Sequence, residues 1–257
     1  MNEDIEVRTY FARGRNALVA RATFSELYAA WYLHRMDCGL RLPPESDTFA
    51  RDALAVITLH CAGRPWKETC AWTVHFPDPR INVFAAGDNA AGAVVANVFI
   101  ENIRPIEKGM FYSDVIEDGR PSRRSVVEFE AGDFLKAVGQ FYEKSEQRPV
   151  RFFRHGDEDL VMVSAQPDCD LAWLGALDDE AIRRLDADVE LSLLETRPFR
   201  FQCGCTRERM LDFLTPVFRN QGGELFGGKE TIRFHCPRCG ARHAITREAL
   251  EAHAARK

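Results

Sequence analysis

Apolar and polar residues alternate through most of the first two thirds of the chain, and this period-two pattern predicts strands. Residues 69–76 (T-C-A-W-T-V-H-F) show it most clearly, followed by 82–86, 93–100, 110–117 and 125–130, with Gly, Asn and Asp turns between them. Residues 16–22, 150–154 and 160–164 complete the set, the last two joined by the turn His155-Gly-Asp-Glu. Three stretches follow a helical period instead. Residues 27–36 come after Thr23-Phe-Ser-Glu26, which fits a capping box. Residues 46–60 place Phe49, Ala53, Val56, Ile57 and His60 on one face, and 133–145 carry Phe134, Val138, Phe141 and Tyr142. Many hairpins with few crossover helices predict an α+β class: a large N-terminal domain, residues 1–167, of antiparallel strands packed with helices.

The pattern changes after residue 167. In 168–198, Ile182, Leu185, Val189 and Leu193 fall at i, i+3, i+7 and i+11, one stripe of a helix that Pro198 would end. The opposite face is acidic, so this segment is expected to be an acidic, partly helical linker. Residues 199–257 then form a small C-terminal module, with helices expected at 207–218 and 246–255 and a short strand at 230–235.

Composition adds three constraints. With 46% hydrophobic residues, 257 residues can build one large domain and one small one. The formal net charge of −5 is unevenly spread: nine acids against three arginines in 168–198 give −6, and eleven basic residues against six acids in 199–257 give +5. The two segments can attract each other or can simply be solvated surfaces. No run of eighteen apolar residues predicts a membrane helix. The N-terminus is acidic and has no apolar h-region. The expected location is therefore cytoplasmic, where clustered cysteines are metal-binding or redox-active rather than structural disulfides.

Four cysteines meet that description. Cys203 and Cys205 form a C-x-C, and Cys236 and Cys239 a C-x-x-C, thirty residues apart. Four soft ligands in two close pairs suit one tetrahedral Zn2+, with sulfur about 2.3 Å from the ion. About sixty residues bury too little apolar surface to fold well alone, and zinc would supply the deficit. Zinc keeps cysteines as thiolates, and Arg207, Arg209 and Arg238 nearby in sequence favour the same form. A thiolate that an oxidant reaches becomes a sulfenic acid, which a neighbouring thiol converts to a disulfide. Spacing alone leaves two readings open, a fixed structural strut and a redox switch.

The residues around the cysteines resemble a known family. Phe201-Gln-Cys-Gly-Cys-Thr-Arg-Glu-Arg209 and Ile232-Arg-Phe-His-Cys-Pro-Arg-Cys-Gly240 are similar to the C-terminal zinc centre of the heat-shock protein 33 family. Tyr142-Glu-Lys-Ser-Glu-Gln-Arg-Pro149 is similar to that family's S-E-Q-x-P segment, and Phe11-Ala-Arg-Gly-Arg-Asn-Ala-Leu-Val-Ala20 is a weaker match near the start. The resemblance implies a redox-regulated, ATP-independent holdase chaperone and not an enzyme. In such a protein the reduced, zinc-bound form is inactive. Oxidation closes two disulfides within the cysteine pairs, releases zinc and unfolds the linker. The exposed apolar surface then binds unfolded or partly folded clients, and the oxidised form dimerises. The ligands and redox thiols carry over to Cys203, Cys205, Cys236 and Cys239. Two features depart from the family pattern: the linker is shorter than usual, and the second pair is Cys-Pro-Arg-Cys.

Other residues carry less. Cys38, Cys61 and Cys70 are expected as buried structural cysteines. Cys61 and His60 are adjacent on a predicted helix, which argues against their converging on one point. Cys169, in the acidic linker, is a candidate exposed thiol. His235 and His243 flank the second cysteine pair but are redundant beside four thiols. Gly87-Asp-Asn-Ala-Ala-Gly92 reads as a turn, not a phosphate loop. Trp31, Trp66 and Trp72 are expected in the core, while Trp173, with Leu171, Leu174 and Leu177, forms an apolar patch that would pack on the large domain. No catalytic constellation stands out. The alternative to a chaperone is a zinc-ribbon binding protein with a purely structural zinc, one for nucleic acid being the case that the basic C-terminal segment suggests. The acidic chain and the lack of interleaved aromatic and basic residues argue against that partner.

Overall fold

The computed structural model describes residues 4–256. In chain order the chain forms β1 (Ile5–Ala12), β2 (Ala17–Thr23), α1 (Ser25–Asp37), α2 (Pro44–Ala62), β3 (Glu68–Phe76), β4 (Ile81–Asp88), β5 (Ala93–Phe99), β6 (Gly109–Glu117) and β7 (Arg123–Phe129). Then come α3 (Phe134–Phe141), prolonged by a π turn (Tyr142–Glu146), β8 (Val150–His155), β9 (Asp159–Ala165), α4 (Leu171–Ala176), α5 (Asp179–Arg183), α6 (Leu185–Asp188) and β10 (Leu191–Phe201). The last elements are α7 (Arg207–Gln221), β11 (Thr231–His235), β12 (Arg242–Thr246) and α8 (Arg247–Ala254). The class is α+β, as expected. Two compact units emerge: Met1–Tyr32 with Leu42–Gln202, and Leu33–Arg41 with Cys203–Lys257.

The large unit is built on one ten-stranded sheet in the order β7-β6-β3-β4-β5-β10-β1-β2-β9-β8. Neighbours are antiparallel except at β5–β10, a parallel pairing of only two residues, Arg200 with Ala93 and Phe201 with Val94. β3 alternates along its full length, with Cys70, Trp72, Val74 and Phe76 buried. These side chains meet α2 and α3 in an aromatic core. The Trp72 ring lies 5.4 Å from Phe111, Phe111 stacks on Phe141 at 4.5 Å, and Phe76 meets Phe129 at 5.0 Å. Edge-on and offset contacts at these separations suit the ring quadrupoles.

The S-E-Q-R-P segment closes α3. Gln147 adopts a left-handed conformation (φ 54°) and its N–H returns to the Tyr142 carbonyl. Glu146 accepts from Arg64 at 3.2 Å and Arg148 at 3.3 Å, which fixes the turn into β8.

Several expectations need correction. Thr23 does not cap α1, because it ends β2, paired with Asp159, and the helix starts at Ser25. Residues 168–198 do not hold one continuous helix. Asp170 and Asp178 cap separate short helices, accepting from the Trp173 and Ala181 amides, and the chain then becomes a strand. Ile182 and Leu185 do bury, packing with Leu174, Leu177, Phe153 and Val163. Leu193 lies instead on β10, 58% exposed. Pro198 sits inside that strand opposite Glu6 rather than ending a helix. Trp66 is 48% exposed, with its indole N–H on Glu195 and Arg197 over its ring, whereas Trp31 and Trp72 are buried.

β10 is the strand on which the sheet closes. It pairs along its length with β1, with one bulge at Thr9/Tyr10. Its last residues reach β5 through Arg200 N–H to Gly92 O at 2.8 Å and Gln202 N–H to Val94 O at 2.9 Å. Gly92 has φ 60°, and a Cβ there would stand 2.7 Å from the Pro198 carbonyl oxygen, so only glycine fits. Buried Arg197 donates to the carbonyls of Arg64 at 2.7 Å and Cys61 at 3.4 Å, satisfying the end of α2.

One buried carboxyl gives the fold a measurable pH signature. Asp52 on α2 pairs with Arg154 on β8, yet burial pushes its pKa up to about 6, the arginine only partly opposing the shift. The unfolded-state value is about 3.9. The folded state therefore binds the proton more tightly, and this group's contribution to stability falls as pH rises from about 4 to about 6. Asp52→Asn should gain on the parent by about 1–3 kcal/mol between pH 4 and 7 in urea unfolding. Parallel stability curves would contradict this.

Candidate metal and redox centre

The small unit is organised around a hairpin and two helices. β11 and β12 pair antiparallel from Thr231–Thr246 to His235–Arg242. Their apolar residues join α7 and α8 in a compact core of Phe226, Ile245 and Leu250, with Leu214, Phe218 and Ile232 around it. Thr246 caps α8 by accepting from the Ala249 amide. This core is small, so it depends on further cross-linking.

The cysteines provide it. Cys203 and Cys205 follow β10 directly. Gly204 between them takes φ 68°, and Arg209 folds back from α7 to donate to its carbonyl at 3.0 Å. Thr206 accepts from the Arg209 amide at 3.2 Å, so the T-R-E-R string is the helix-capping turn that aims the first pair. Cys236 and Cys239 lie in the turn between β11 and β12. The Cys236 N–H donates to Ala241 O at 2.7 Å and the Gly240 N–H returns to Cys236 O at 2.8 Å.

All four sulfurs lie within 4.8 Å of one another, and no other such cluster of ligand-type side chains occurs among the described residues. Cys203 Sγ is 3.7 Å from Cys236 Sγ, and Cys205 Sγ is 3.4 Å from Cys239 Sγ. Four sulfurs about 2.3 Å from a central ion form a tetrahedron with edges of about 3.8 Å, so these separations fit one four-coordinate metal ion. They are far longer than a disulfide, about 2.05 Å. Proton sharing points the same way. Hydrogen bonds from Cys203 and Cys239 hold the Cys236 thiol well below its ordinary range. Cys203 is pushed up to about 12, chiefly by its bond to Cys236. Without a cation the cluster ionises only in part, and a divalent ion would make four thiolates compatible.

Some members of the site were not legible in the cysteine spacing. Leu33–Arg41, the end of α1 and the loop after it, belongs to this unit. His34 Nε2 donates to the Cys239 carbonyl at 3.1 Å, and Cys38 Sγ lies 3.7 Å from the same nitrogen. Cys38 is thus a half-buried neighbour of the second cysteine turn, not a core residue. Leu40 closes over the second cysteine turn, where Gly240 has φ 75° and a Cβ on it would stand 2.5 Å from Leu40 Cδ1. His235 and His243 stay outside the cluster, His243 stacking on Phe234. Cys169 is half-buried beside the α4 patch, where Leu174 and Leu177 are buried and Leu171 is exposed.

Comparison with known proteins places this arrangement. The family model described as Hsp33 protein matches residues 164–246, which contain all four cysteines. These comparisons support membership of the Hsp33 family. A 33 kDa chaperonin of Edwardsiella ictaluri is 27% identical over 154 residues, 50% of this chain and 53% of that protein. One from Methylobacillus flagellatus is 22% identical over 169 residues, 52% and 58% of the two chains. The chain thus spans little more than half the length of these curated relatives. The fold also matches the crystal structure of the 33 kDa chaperonin from Thermotoga maritima, with a TM-score of 0.69 and 15% identity over 99% of this chain and 98% of that one.

The tight turn at Gly240 offers a direct test of metal holding. Gly240→Ala should weaken metal retention against a chelator about tenfold or more, because it adds both backbone strain and a clash with Leu40. Combining it with Leu40→Ala should recover the steric part only. Unchanged retention in Gly240→Ala would show that the turn does not hold the ligands.

Proposed function

We propose that the chain is a redox-regulated, ATP-independent holdase chaperone whose switch is the Cys203, Cys205, Cys236, Cys239 cluster. The observation that carries this reading is the set of four thiols at tetrahedral separations, lying within the Hsp33 match and following β10 without an intervening linker. Zn2+ held by the four sulfurs would supply about 10–16 kcal/mol of folding energy to a module with little core of its own.

The reduced state keeps α4, α5 and α6 packed, burying Leu174, Leu177, Ile182 and Leu185. A peroxide or hypochlorous acid takes two electrons from each cysteine pair, converting Cys203 with Cys205, and Cys236 with Cys239, to disulfides. Each pair gives up its two thiolates as ligands, so the donor set is lost and the module loosens. Freed leucines and isoleucine would then offer unfolding proteins an apolar surface, and the exposed face would favour a homodimer in the oxidised form. The Hsp33 class is not known for catalysis, and the chain works on this reading by binding alone, in the cytoplasm.

The test compares light scattering of a heat-unfolding client in the presence of reduced zinc-loaded protein and of peroxide- or hypochlorite-treated protein. Suppression by the oxidised form alone is expected. Failure in both states would sink the chaperone, and equal activity in both would sink the switch.

A further inference from the structure

A second thiol pair lies in the large unit, away from the metal-type cluster. Cys61 is in the last turn of α2 and Cys70 is on β3, and both are 0% exposed. Cys61 Sγ packs over Gly87, the residue paired with Cys70 across the β3–β4 ladder, so the two cysteine side chains share one buried space. His60 Nδ1 lies 2.6 Å from the Tyr142 hydroxyl, and its Nε2 is buried without a hydrogen-bond partner. Room for the pair comes from Gly87, which sits opposite Cys70 on β4. A Cβ at Gly87 would stand 2.4 Å from Cys61 Sγ, so the missing side chain is the space the sulfur fills.

We propose that Cys61 and Cys70 form a second redox couple, which a small hydroperoxide converts to a buried Cys61–Cys70 disulfide. Cys70 is the attacking sulfur. Donation from Cys61, with His60 and Arg64 nearby, holds its thiol below the ordinary range, and the same bond pushes Cys61 up. In the first step an S–O bond forms at Cys70 and the peroxide O–O bond breaks. With hydrogen peroxide the departing hydroxide takes up the Cys70 proton, giving water. In the second step Cys61 sulfur attacks the Cys70 sulfenic acid. The S–S bond forms, the S–O bond breaks, and a second water leaves with the Cys61 proton. Two thiols are oxidised by two electrons and one hydroperoxide is reduced, with no other reactant needed.

Burial sets the rate. Arg197 of β10 holds the turn above the pair through the Cys61 and Arg64 carbonyls. Oxidant therefore enters when the end of α2 opens, and disulfide formation follows that local opening rather than the chemistry. The half-buried Cys203 and Cys205 should react sooner. The couple does not depend on the metal-site reading, because it shares no residue with that site.

The test uses the full-length, zinc-loaded protein. It is treated with hydrogen peroxide under native conditions, quenched by alkylation at intervals, and mapped as peptides without reduction, with released zinc followed in parallel. A Cys61–Cys70 linked peptide should accumulate in a phase slower than loss of the four metal-site thiols. In Cys70→Ser, Cys61 should be recovered as an alkylated thiol with no new partner. Recovery of both Cys61 and Cys70 as thiols, once the other four are consumed and incubation has continued several-fold longer, would overturn the proposal. So would linkage of either to a different cysteine. Zinc release without this linkage would sink the couple and leave the metal switch standing, and the linkage without zinc release would do the reverse. The wild-type mapping decides the matter even where the serine variant fails to fold.

Discussion

The parallel seam between β5 and the end of β10 is the contact on which the large sheet depends. On one side β7, β6, β3, β4 and β5 form a continuous antiparallel array, and on the other β10, β1, β2, β9 and β8 form a second. Backbone hydrogen bonds from Arg200 and Gln202 help to join them across a two-residue ladder, and the next residue is Cys203. The seam is short because the chain leaves the sheet there to supply the first cysteine pair. It persists because Gly92 lets the Pro198 carbonyl approach, and because Arg197 ties β10 to the end of α2. The last sheet hydrogen bond, from Gln202, and the first cysteine of the cluster thus come from consecutive residues.

This topology limits how a switch can work. Helices α4, α5 and α6 are tethered at both ends, by β9 and by β10. Helices of 6, 5 and 4 residues are marginal by themselves, so their order comes from packing Leu174, Leu177, Ile182 and Leu185 on the sheet. On the proposed reading, loss of a bound metal would free Cys203 but would not by itself release the helices while β10 stays paired with β1. Burying a side chain such as Phe199 or Phe201 is worth about 1.5–3 kcal/mol, so detaching β10 has a substantial cost.

Much of this was legible in the sequence. β3 through β9 followed from alternation, and the four cysteines announced their cluster by spacing. β10 was hidden because its buried side includes Arg197, which breaks the apolar alternation, while Leu193 and Leu194 are apolar and exposed. The helical stripe drawn through Ile182, Leu185 and Val189 was right about burial and wrong about continuity, since capping aspartates divide it. β1 carried a readable Ile5, Val7, Thr9 alternation that the acidic start of the chain obscured. Nothing local marks Leu33–Arg41 as part of the cysteine unit, because His34 and Cys239 lie 205 residues apart in the chain. The Cys61–Cys70 pair was equally invisible, since its geometry depends on a glycine in a third element.

The most direct test of the account is amide hydrogen exchange of residues 191–201 and 171–188, followed together with zinc release during oxidation. The account predicts that protection in β10 and in α4 to α6 falls as zinc leaves. Zinc release with β10 still fully protected would contradict it, and would make the four cysteines a structural strut.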